Sequence, residues 1–140
     1  MEVRISRILL LLMAAATAAA LALFLFPRLS ALARSRPDPD VEVAVRAAEQ
    51  IYAIRKDETY DALAPELAAR YRQQAERLPD SEKNRKVEVL GAALVRKGED
   101  AEVAIVVRVI PNRPGATPLE SRAFFVVRNG KVIRIHPTMP

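Results

Sequence analysis

Asp57, Glu58 and Asp61 crowd around Tyr60 in the stretch KDETYDALAPEL, residues 56–67. Carboxylates this close together can divide acid and base roles or gather a cation. The stretch has no glycine and no run of alternating oxygen ligands, so it does not follow a calcium loop and no metal is expected. The plainer reading is a solvated break between helices, with Asp57 or Glu58 near a cap. His136 is the single histidine, beside Pro137 at the end of the last apolar run. An imidazole titrates near neutrality and can serve as a general base, but it needs an orienting partner, and the sequence identifies none. Asp57, Asp61 and His136 are therefore the catalytic candidates, against the reading that all three are rim residues, and no catalytic assignment follows from them.

Two further sets can bind without reacting. Tyr52 and Tyr71 lie on apolar stripes at helical spacing, as core residues with hydroxyls at a rim or as donors into a pocket. Arg108, Arg122, Arg128 and Arg134 fall in stretches of period two. They are either solvated strand positions paired with acidic helices or a surface for an anion or an acidic partner. The chain has no cysteine, which removes disulfides, cysteine metal sites, thiol nucleophiles and a cysteine-linked lipid anchor. With 4 glycines and no glycine-rich loop, no phosphate-cradling turn is expected, and no cofactor is expected.

The elements that must hold these residues begin after RPDPD, residues 36–40, a stiff polar linker whose Asp38 or Asp40 can cap a helix. Val41, Val45, Ala48 and Tyr52 recur at helical spacing, widened by Ala44, Ile51 and Ile54, and predict a helix to about Lys56. A short second helix is expected within residues 56–67. A third starts near Pro65, which is tolerated in a first turn, and stops at Pro79. From Arg85 the period changes to two. KVEVLGAALVRK predicts a strand with a bulge or bend at Gly91. AEVAIVVRVI follows the turn GED with Val103, Ile105, Val107 and Val109 on one face.

SRAFFVVRNGKVIRIH predicts a hairpin, because Asn129-Gly130 is a preferred centre for a type I′ turn. The register expected from it sets Arg128 opposite Lys131, Val126 opposite Ile133 and Phe124 opposite Ile135. Those four apolar residues are expected to point at the helices. Phe125 and Val127, paired with Arg134 and Val132, are expected on the other face, which is too apolar to be fully wetted and so calls for a cover. Helices followed by a meander of four strands predict an α+β domain with the helices on one face of an antiparallel sheet.

The chain before this domain is of another kind. Residues 8–26, ILLLLMAAATAAALALFLF, contain no charge, and a helix of that length spans about 28 Å, close to a bilayer core. Residues 1–7 are its basic flank and residues 27–39 a linker. The length favours an uncleaved single-pass anchor, while Pro27 and the small-residue spacing of Ala31 and Ala33 suit cleavage after Ala33 and secretion. Either fate puts residues 40–137 outside the cytoplasm. Five of the arginines precede Pro37, so most of the net charge of +5 belongs to membrane topology, and nucleic acid is not an expected partner. Within the domain, residues 37–82 hold 6 basic and 11 acidic residues and residues 83–140 hold 11 basic and 5 acidic. Electrostatic pairing of two layers is expected, the alternative being a basic sheet surface for an acidic partner or anionic lipid.

AVRAAEQIYAIRKDETYDALAPEL (44–67) and SRAFFVVRNGKVIRI (121–135) resemble the long helix, acidic break, short helix and closing hairpin of the nuclear transport factor 2-like, or cystatin-like, superfamily. The resemblance covers most of residues 40–136. It implies a curved four-stranded sheet forming a cone around the helices. Members include isomerases, polyketide cyclases, dehydratases and non-enzymatic binding or assembly domains, and small extracytoplasmic bacterial versions behind one N-terminal helix are common. On this comparison Tyr52, Tyr71, Phe124 and Ile135 would line the pocket, and Phe125, Val127, Arg108, Arg122 and Arg134 would meet a protein partner or a second copy. The expectation is a membrane-tethered binding or assembly module without catalytic activity, held to the lipid bilayer by residues 8–26. The alternative is a small-ligand carrier or enzyme that uses the cone.

Overall fold

Asp38 caps a helix, and its partners explain where that helix sits. The computed structural model of the chain describes residues 36–137. The apolar run 8–26 and its cleavage alternative lie outside these residues. Among the described residues no helix is long and apolar enough to cross a membrane. Helix α1, Pro39–Ala53, starts with the Asp38 carboxylate accepting the Asp40 amide at 2.9 Å and with Pro39 in the first turn. The Lys97 ammonium pairs with both Asp38 and Asp40 and ties this helix start to a strand end.

The helix stops at Ala53, short of Lys56, because Ile54 takes a left-handed conformation (φ 49°). The last carbonyls are then satisfied from outside. The Asn84 amide donates to Ile54 O at 3.1 Å and the Arg85 amide to Ala53 O at 2.9 Å. Helix α2, Pro65–Arg77, opens on Pro65 as its sequence requires, and Leu78 is extended ahead of Pro79. A single 3₁₀ turn follows at Asp80–Glu82.

The short helix expected within residues 56–67 does not form. Residues 54–64 are turns, with Tyr60 left-handed (φ 54°) and Leu63 bridging Val132 in parallel. The Val132 amide donates to Ala62 O at 2.9 Å and the Ala64 amide to Val132 O at 2.8 Å. This segment buries Tyr60, Ala62 and Leu63 by pairing its backbone with the sheet, so it needs no helix of its own.

The sheet has four antiparallel strands in sequence order: β1 Lys86–Lys97, β2 Ala101–Ile110, β3 Leu119–Arg128 and β4 Lys131–Pro137. Both helices pack on one face of it, making an open α+β arrangement. Strict alternation puts Ala101, Val103, Ile105, Val107 and Val109 of β2 in the core, as their spacing predicts. Ala44, Ala47 and Ala48 form the helix side of that contact, and all three are fully buried. Side chains this small bring the α1 backbone close to the sheet and leave the volume to Phe125 and the strand valines.

The closing hairpin turns where expected, with Asn129 at φ 51° and Gly130 at φ 71°. Its register departs from the expected one after two pairs. Arg128 faces Lys131 and Val127 faces Val132, but Ile133 is bulged out, so Val126 meets Arg134, Phe125 meets Ile135 and Phe124 meets His136. The faces of β3 and of Val132 are therefore the reverse of those expected, while the bulge leaves Ile135 on the inner side and Arg134 on the outer side as expected. Phe125 and Val127 are 0% and 1% exposed in the core, while Phe124 and Val126 lie on the outer face. The cause is β2. Cross-strand partners share a face, and β2 sets Val103 opposite Phe125 and Ala101 opposite Val127. Strand β1 carries two more irregularities, at Leu90 and Val95, the first adjoining the predicted Gly91.

Candidate functional site

Asp61, the best supported of the three catalytic candidates, is a structural ligand. Gln50 is buried on the inner side of α1, donates from Nε2 to Asp61 Oδ1 at 2.5 Å, and accepts the Ala62 amide on Oε1 at 3.2 Å. Lys131 Nζ donates to the Asp61 carbonyl, and Arg46 lies 3.7 Å from its carboxylate. The Gln50 hydrogen bond foremost, helped by the Arg46 and Lys131 charges, holds the Asp61 carboxyl below the ordinary aspartate range. A carboxylate so stabilised is a poor general base. It fixes the 54–64 turns to α1 and to the start of β4.

His136 sits near the far end of β4, opposite Phe124 on the outer face. It lies five positions beyond Lys131, about 16 Å along a strand, and Asp61 is on the helix side. Asp57 is exposed in the turn after α1. The three candidates therefore do not converge. Among the described residues no group of three or more histidine, cysteine, aspartate or glutamate side chains can hold a metal ion.

Of the four expected pocket residues, Tyr52, Tyr71 and Ile135 pack against the inner core, and Phe124 does not. The Tyr52 hydroxyl shares a hydrogen bond of 2.9 Å with Ser121 Oγ on β3. Burial, with Tyr52 nearby, pushes the Tyr71 phenol up, so it stays protonated and a donor. Ser121 and Gln50 were not singled out from sequence. Gln50 carried a signal, since a glutamine between Ala47 and Ile51 interrupts an otherwise apolar helix stripe.

The outer face of the sheet is a second candidate surface. At its centre Ala104 and Val106 of β2 lie beside Phe124 and Val126 of β3, and each is half-buried. Phe125 and Val127, expected here, are in the core and cannot touch a partner. Arg108, Arg122 and Arg134 do lie on this side: Arg122 opposite Val106, Arg134 opposite Val126, and Arg108 opposite both Glu88 and Glu120. Arg108 pairs with those two carboxylates at 3.7 and 3.6 Å.

No family model, no curated protein and no solved structure matches the chain.

Proposed function

We propose that this chain is a membrane-tethered extracytoplasmic binding or assembly module that works through the outer face of its sheet and does no catalysis. Residues 8–26 anchor it, and the α+β domain takes the cystatin-like form that its helix and hairpin stretches resemble. The observation that carries this reading is the strip Ala104, Val106, Phe124 and Val126, which no described element covers and which arginines border. An apolar centre with a charged rim is how binding surfaces are built. The inner face supports the same reading, because α1 meets the sheet through alanines and Phe125 occupies the space between. The dispersal of Asp57, Asp61 and His136 weighs against the enzyme alternative. The partner is a second copy or another protein of the same compartment.

The test is a photo-crosslinking residue in place of Phe124 in the full-length protein in its membrane. Irradiation is expected to give one discrete product of higher mass, lost when Val126→Asp is added. The same crosslinker at exposed Glu49 on α1 is expected to give none. Equal or absent crosslinking at the two positions overturns the reading.

A further inference from the structure

A cleft of about 180 Å³ opens beside the 54–64 turns, away from the sheet's outer face. Its lining includes Tyr60 and four cations: Arg55, Lys56, Arg72 and Lys83. Glu58 and Glu76 also line it, which leaves two positive charges in excess. We propose that this cleft binds a small oxyanion of the phosphate class, either free or as a lipid headgroup. The proposal is independent of the sheet-face reading.

The backbone around the cleft takes several left-handed conformations. Among the described residues four non-glycine residues have positive φ; one is Asn129 of the hairpin turn, Tyr60 lines the cleft, and Ile54 and Asn84 are chain neighbours of its lining residues Arg55 and Lys83. A left-handed conformation costs about 1–2 kcal/mol at a residue with a Cβ, and the clash is worst for a branched one such as Ile54. Ile54 ends the helix and turns Arg55 and Lys56 off its axis. Tyr60 brings its own ring to the lining while 3% exposed. Asn84 follows Lys83. Strain that persists at a ligand clamp is a recurrent arrangement, and here it gathers cations that would otherwise spread apart.

The cations are held in different ways. The Lys83 side chain is only 14% exposed, and its partner at 3.2 Å, Asp80, is 81% exposed, so that carboxylate is largely solvated and neutralises Lys83 weakly. Arg72 Nη2 donates to the Thr59 carbonyl at 3.2 Å, which fixes the guanidinium to the loop and leaves its other donors for a ligand. Among the described residues Arg55 and Lys56 enter no ion pair. Glu58 turns back to accept the Thr59 amide at 3.2 Å. Burial, reinforced by the Glu58 charge, pushes the Tyr60 phenol up, so it remains an O–H donor at any physiological pH. With Asp80 counted beside Lys83 the local excess is one positive charge, which a phosphate group, at about −1.5 to −2 near neutrality, would neutralise. The volume is enough for such a group and below the range of pockets for larger cofactors.

The experiment is calorimetric titration of inorganic phosphate into the full-length protein in a neutral detergent and a phosphate-free buffer. A second arm measures hydrogen exchange at residues 55–60 in phosphatidylcholine nanodiscs with and without phosphatidylglycerol. Saturable binding of inorganic phosphate, weakened roughly tenfold by Arg72→Gln or Lys83→Gln, is the expected result for a free anion. Protection gained only with phosphatidylglycerol, and lost in Lys83→Gln, identifies the headgroup instead. Arg134→Gln, on the sheet face, is expected to change neither readout. Should Lys83→Gln fail to fold, the exposed pair Arg55→Gln with Lys56→Gln decides. No response in either arm, or a response that the cleft variants leave intact, overturns the proposal.

Discussion

Gln50 shows what one polar side chain does when it is buried with all its partners. Its amide satisfies a carboxylate and a backbone amide at once, both in the segment that takes the place of the expected helix. Replacing it with leucine keeps the volume roughly but orphans the buried Ala62 amide. The expected loss is about 1–3 kcal/mol, measured by urea denaturation, and Gln50→Glu is expected to be no better, because it sets a charge against Asp61. Three aspartates also share a pH signature. Hydrogen bonds from Gln50, Lys97 and Arg128 hold Asp61, Asp38 and Asp100 respectively below the ordinary range. A carboxyl lowered in the folded state contributes stability in full above its unfolded pKa, about 4, and loses it as the pH falls through the lower folded value. Stability is therefore expected to be flat from neutrality to about pH 5 and to fall below about pH 4, and Asp100→Asn is expected to shallow that fall. A fall between pH 6 and 7 would contradict this assignment. Asp61 was visible in the sequence as part of a carboxylate cluster, but its role was not, because the role depends on a glutamine eleven residues away.

At the scale of elements, the two turns of opposite difficulty make a pair. Asn129-Gly130 announced itself, and the hairpin folds there. Nothing lies within 4 Å of a Cβ built on Gly130, so Gly130→Ala meets only the backbone cost of φ 71°, about 1–2 kcal/mol by thermal or chemical unfolding. Helix α1 gives a steric counterpart. Ala47 is fully buried against the sheet, and Ala47→Leu is expected to cost about 1–3 kcal/mol, whereas Glu49→Leu on the exposed side is expected to be nearly neutral. Strand β2 was legible because Glu102 and Arg108 mark its outer face and set the alternation. Strand β3 was not legible in the same way. Phe124, Phe125, Val126 and Val127 are apolar at every position, so periodicity cannot say which pair faces inward. The choice is made by β2 and by the bulge at Ile133, neither of which local pattern encodes. The missing short helix has a similar cause: Tyr60, Ala62 and Leu63 found burial through a bridge to Val132, a contact some seventy residues along the chain.

At the scale of the molecule, the division into an acidic first part and a basic second part does not produce a general pairing of layers. Among the described residues Lys97 joins the sheet to the start of α1 by ion pairs, while Arg108 and Arg128 satisfy carboxylates within the sheet itself. The proposed tethering makes its own prediction. The expressed protein is expected in the membrane fraction at full-length mass, and a soluble product beginning at Arg34 would replace the anchor with a cleaved leader. The Lys97 clasp also bears on how such a tether would transmit load. Any pull arriving along the preceding chain enters the fold at Pro37, and the first resistance it meets is a pair of carboxylates gripping one ammonium at the tip of the β1–β2 hairpin. Strong salt would loosen that grip while leaving the alanine seam untouched. The attachment of Asp38 and Asp40 to that hairpin is therefore expected to depend on ionic strength, and thermal unfolding of the domain to depend on it little.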